Sequence, residues 1–187
     1  MRTILITSLV CLALVACAPG ESEHGSLSEG CDARAVATWN TQADPNASIE
    51  AITAGPDCAR AVATLIIRNG SGEPIYSATH LPSQVMTLAQ ASTPAAMQTA
   101  LQEWVDPATN TTMQTTAALP EWPANAESPQ NGEFPFYPAE GVTREDYNEL
   151  RSANLPLYCY VQGMESLNCL ALRDGALESV GLQSFPG

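Results

Sequence analysis

The sequence predicts an α+β fold: a single antiparallel sheet of about five or six strands packed by one or two helices. Three observations carry this reading. Two β-rich stretches flank a Gly turn at residues 69–72, an apolar stripe recurs at helical spacing from Met97, and Cys159 and Cys169 stand symmetrically about Met164. A long Pro-rich loop is expected to wrap the sheet, and two disulfides to staple it.

The elements follow in chain order. The hexapeptide Ala33-Arg34-Ala35-Val36-Ala37-Thr38 recurs as Ala59-Arg60-Ala61-Val62-Ala63-Thr64. Two copies this close read as Ala-rich coincidence, not as a solenoid. Ser48 to Thr53 reads as a strand, although Ile49 and Ile52 are also spaced for a helical turn. The second hexapeptide continues into Leu65-Ile66-Ile67-Arg68, then Asn69-Gly70-Ser71-Gly72, then Glu73 to Thr79. A β-branched run, a Gly turn and an alternating return make a hairpin, and the apolar first strand belongs in the sheet interior.

Ser92-Thr93 caps and Pro94 opens a helix whose stripe is Met97, Ala100, Leu101, Trp104 and Val105; Asp106-Pro107 ends it. Thr143 with Asp146 forms a capping pattern for a second, short helix carrying Tyr147 and Leu150. Between the helices, residues 107–141 hold six prolines and no period. Their aromatics, Trp122, Phe134, Phe136 and Tyr137, mark an ordered wrapping segment rather than a linker. Leu157 to Gln162 and Leu167 to Leu172 form a second hairpin. Asp174-Gly175 is a type I′ turn signal leading into Leu177 to Gln183. That register sets Cys169 opposite Val180 and Leu172 opposite Leu177.

The N-terminus reads as an address. Arg2 precedes an apolar run from Ile4 to Val15, too short for a free transmembrane helix, which needs about 20 residues. The run closes on Leu14-Val15-Ala16-Cys17, which resembles the lipobox of bacterial lipoproteins. The resemblance implies cleavage before Cys17, a lipid on its sulfur, and anchorage to the membrane; ordinary cleavage near Ala16 or Ala18 is the competing reading. Ala18 in place of Asp implies the outer membrane, facing the periplasm. Residues 1–16 are then the signal and 17–30 a lipid-anchored flexible tether rich in Gly, Ser and Glu, leaving 31–187 as one domain.

Of the six cysteines, Cys11 leaves with the signal and Cys17 is taken by lipid. The remaining four pair by spacing as Cys159–Cys169 across the hairpin and Cys31–Cys58 around the N-terminal segment. In the loop-entropy account these bridges contribute about 2.8 and 3.6 kcal/mol. A zinc site is disfavoured, because C-x-x-C spacing and a second histidine in the body are missing.

Charge and motifs narrow the function. The chain has seven arginines and no lysine against 20 acidic residues, a net charge of −13. That excludes nucleic-acid binding by phosphate neutralisation, excludes a lysine nucleophile, and favours any partner that is basic. No phosphate loop, dinucleotide fingerprint, nucleophile elbow or zinc-protease motif occurs, and no cofactor or metal is expected. His80 is the only body histidine able to serve as a base, but its position after a strand suits a structural role. Trp122, Phe134, Phe136 and Tyr137 are candidate partner-binding anchors, with core cover as the competing reading.

Three stretches, Gly55-Pro56-Asp57-Cys58, Val85-Met86-Thr87-Leu88-Ala89 and Cys159 to Ser166, resemble uncharacterised alphaproteobacterial lipoproteins. The resemblance implies no activity and no site residues. The sequence thus points to a non-enzymatic binding or envelope-assembly module. The alternatives are an inhibitor of a basic envelope-attacking enzyme such as lysozyme, and a periplasmic hydrolase using His80.

Overall fold

The computed structural model describes residues 30–110, 113–129 and 134–185. The expected signal, the expected lipidation site Cys17 and nearly all of the expected tether lie outside the described residues. The expected single sheet is corrected: the strands form two antiparallel sheets of four strands each.

The first sheet is a meander in chain order, β1 (Ala33–Trp39), β2 (Ala47–Ala54), β3 (Val62–Arg68) and β4 (Pro74–His80). The expected strand at 48–53 and the expected hairpin, from the second hexapeptide through Arg68 and back over Glu73 to Thr79, are here as β2, β3 and β4, with β3 in the interior. β1 is the addition, formed by the first Ala-rich hexapeptide. Alanine has weak strand propensity, yet alternation decides it: Ala35 and Trp39 are buried while Arg34, Val36 and Thr38 face solvent. Glu50 on β2 bridges Arg34 on β1 (2.6 Å) and Arg68 on β3 (3.3 Å). Its carboxyl is held below the usual range, first by the Arg34 hydrogen bond.

Helix α1 (Pro94–Val105) begins at Thr93, whose side chain accepts from the Ala96 amide, and buries Met97, Leu101, Trp104 and Val105. It lies along β1, the sheet's outer strand. There Gln98 clamps the Arg34 backbone: its Oε1 accepts from the Arg34 N–H (3.2 Å) and its Nε2 donates to the Arg34 carbonyl (2.8 Å). One turn follows as α2 (Pro107–Asn110).

The second sheet has the order β5-β8-β7-β6, built from β5 (Phe136–Pro138), β6 (Leu157–Val161), β7 (Ser166–Arg173) and β8 (Ala176–Ser184). β5 lies in the Pro-rich segment and pairs Phe136 with Gln183. Three residues ending in Pro leave too little alternation to mark a strand; Pro138 sits at the sheet's edge, where a missing N–H is tolerated. Asp174 and Gly175 both have positive φ (51° and 80°), as the type I′ turn requires. Leu172 pairs with Leu177 as expected, but Cys169 pairs with Gly181 rather than Val180. A bulge between Cys169 and Leu170 absorbs one residue of β8. It sends Val180 into the core, and brings under Phe136 a glycine whose Cβ would lie 2.6 Å from the Phe136 ring.

The second sheet is the middle layer, so β6 is buried along its whole length. One face carries Tyr158, Tyr160, Leu170 and Leu172 against the first sheet and α1. The other carries Leu157, Cys159, Ala171 and Val180 under α3 (Arg144–Ala153) and the wrapping segment, through Tyr147, Leu150 and Leu119. Thr143 and Asp146 cap α3 reciprocally, as the sequence predicts. Cys31–Cys58 and Cys159–Cys169 are both bonded as expected.

Candidate functional site

Strand register fixes two ends for the body. Ala33, Ala54, Val62 and His80 share one end: Ala33 pairs near the finish of β2, Ala54 with Val62, and Ala63 with His80. Cys31 donates to the Gly55 carbonyl there, so the chain enters the described body at this end. The second sheet is aligned with the first. Trp104 Nε1 donates to the Val161 carbonyl (2.6 Å) and stands edge-on to His80, so β6 finishes at the entry end. At the far end Trp39 packs on Tyr158 (5.7 Å).

At the entry end lies an apolar pocket of about 270 Å³, lined by Met86, Thr109, Phe134, Val161, Leu167, Gln183 and Phe185. Four separate segments converge to build it. Met86 N–H donates to the Gly163 carbonyl, Phe185 N–H to the Glu165 carbonyl, and Ser184 N–H to the Pro135 carbonyl. These bonds tie the residues before α1, the β6–β7 turn, the end of β8 and the Phe134 segment together. Gln183 is 9% exposed, and its buried Oε1 has no hydrogen-bond partner among the described residues. Such an orphan is uncommon in folded proteins and carries a desolvation penalty of about 1–3 kcal/mol. Met86 and Phe134 are each 40% exposed at the rim. Val62, Leu81 and Met164 are exposed at the same end, which gathers five of the eight exposed large apolar side chains among the described residues.

The four aromatic anchors read from the sequence separate. Phe136 is buried, tilted on Tyr147 at 6.0 Å, and Trp122 packs edge-on to the same ring at 5.5 Å. Trp122 Nε1 donates to the Ala126 carbonyl, which closes its own loop. Tyr137 is exposed on β5, and Phe134 alone lines the pocket. Sequence reading missed Met86, Val161 and Gln183. The one local signal was Gln183, a long polar side chain at an inward position of β8.

Behind the pocket wall runs a polar cluster between the sheets. The hydroxyls of Tyr76 and Tyr160 share a hydrogen bond (2.9 Å), Asn168 Nδ2 donates to both (3.4 Å), and Ser179 donates to Asn168 Oδ1 (2.6 Å). His80 Nε2 lies 3.5 Å from the Tyr160 hydroxyl, with its ring edge-on to Trp104 and Tyr160. Burial lowers the His80 pKa below 6.5 and raises that of Tyr160, so both are neutral near pH 7. Around the half-buried His80 ring stand the Trp104 indole and the Tyr160 phenol. No group of three or more metal-ligating side chains occurs among the described residues, and no described helix is long and apolar enough to cross a membrane. Comparison with protein-family models, curated proteins and solved structures returned no match to this chain.

Proposed function

We propose that this chain is a lipid-anchored binding module of the cell envelope, held through Cys17 at the outer membrane and facing the periplasm. Its binding element is the pocket around Phe134, and its occupant is an apolar side chain of a protein partner. The buried, unpartnered Oε1 of Gln183 carries the reading. Among the described residues nothing compensates this acceptor, and an incoming N–H beside the apolar group would satisfy it. The exposed rim of Met86 and Phe134 supplies contact area of the kind that anchors interfaces. The chain's net charge of −13 steers it toward basic partners.

A photo-crosslinking residue at position 86, in cells, tests this. The expected result is one dominant protein adduct, lost in Phe134→Ala while the thermal midpoint holds. Cys17→Ser should release the protein from the membrane fraction. Absence of any adduct above background at normal protein levels would sink the binding assignment; membrane retention of the Cys17→Ser protein would sink the anchor.

A further inference from the structure

At the far end of the body lies a second cavity, an open groove of about 880 Å³. It is cut between the β1–β2 turn, the start of α2 and the stretch that connects α3 to β6. Its floor is apolar, with Trp39, Leu155 and Pro156. Its walls carry the amides of Asn40, Gln42, Gln114 and Asn154, all on solvent-exposed residues, together with threonine hydroxyls. None of its lining residues is ionisable.

The two carboxylates nearest in sequence are already engaged elsewhere. Asp44 accepts from the Gly70 amide (2.7 Å) and the Asn46 amide (3.1 Å), pinning the neighbouring hairpin turn. Asp106 accepts from the Ala108 amide (2.9 Å) and the Thr109 hydroxyl (3.0 Å), capping α2. A strongly acidic chain therefore presents here a concave surface without a charged side chain. The volume falls within the range of small-molecule sites, roughly 300–1,000 Å³.

The lining dictates the ligand chemistry. A charged ligand would leave water without a counter-charge to meet. A purely apolar one would strip water from four amides and return nothing. Side-chain amides donate and accept at once, which matches hydroxyl and N-acetyl groups that also do both. An apolar floor with amide walls suits a ring with C–H faces and a hydroxylated edge. We propose that this groove binds a neutral oligosaccharide. The inference is independent of the pocket at the entry end.

Two neutral probes separate the possible sources: an N-acetylglucosamine tetramer, of the cell-wall glycan type, and a glucose tetramer. Each is titrated into the purified full chain by saturation-transfer NMR and by tryptophan fluorescence, since Trp39 lines the groove. Saturable binding of at least one, millimolar or tighter, is expected. The double variant Asn40→Ala/Gln42→Ala changes two exposed residues and should weaken binding by about tenfold with an unchanged thermal midpoint, as loss of one or two net hydrogen bonds implies. Preference for the N-acetylated tetramer assigns the groove to cell-wall glycan, and preference for the glucose tetramer to an unsubstituted hexose polymer. Saturable binding of neither probe, or binding indifferent to the double variant, overturns the proposal.

Discussion

Two residues of this body respond to their burial in different ways. Gln183 leaves an acceptor unmet in a pocket wall, and His80 leaves a titratable ring between two aromatic side chains. Burial holds the His80 pKa below its ordinary 6.5, so the unfolded chain takes up the proton first on acidification. His80 therefore costs no stability above pH 6.5, and stability falls as pH drops from 6.5 toward the lowered folded value. Below that value the loss levels off. Thermal melts from pH 7.5 to 5 should show this decline, and His80→Gln should flatten it. A variant with an unaltered slope would assign the decline to other groups. The carboxylates held low, Glu50, Asp57 and Asp146, titrate below their ordinary 4.5, 3.8 and 3.8 and so act in a separate, more acid window.

Elements written in local pattern were legible in the sequence. The stripe of α1, the cap of α3 and the Asp174-Gly175 turn each need only a few neighbouring residues, and all three stand where the spacing put them. Elements set by partners at a distance were not. β1 is an Ala-rich edge that becomes a strand because β2 pairs with it, and β5 exists because Phe136 meets β8. The bulge in β8 follows from the fit of Gly181 beneath Phe136, which no local spacing announces. The disulfides reinforce these elements unequally. Cys159–Cys169 joins directly paired residues of a hairpin that its own ladder already holds. Cys31–Cys58 spans 27 residues and ties the entry of the chain to the turn before β3. Cys31→Ala/Cys58→Ala should lower unfolding free energy by about 3–4 kcal/mol, and the hairpin pair by about 3 or less. Urea midpoints of the two double variants check the order; a larger loss for the hairpin pair would refute it.

At the scale of the whole molecule, the error was one of partition. About five or six strands were expected in one sheet, but eight form two, because nothing local tells β4 whether β6 lies beside it or beneath it. Tyr76 and Tyr160 settle it: their hydroxyls meet across the gap between sheets rather than along a ladder. The pocket was legible only through Phe134, since Met86, Val161 and Gln183 come from segments far apart in the chain. The Gln98 clamp on Arg34 has a consequence at this scale too. An outer strand with open amides is a template onto which another copy can add its own strand, and proteins gathered on a surface meet at high local concentration. Gln98 fills the donor and acceptor of Arg34 with a side chain from its own helix, which blocks that addition near the middle of the strand's first half. Gln98→Ala should thus leave the monomer folded while light scattering rises with concentration; scattering that stays at the wild-type level would mean the helix alone suffices as a guard. One side-chain amide, bonded across to the edge of its own sheet, closes that stretch of strand to a second copy.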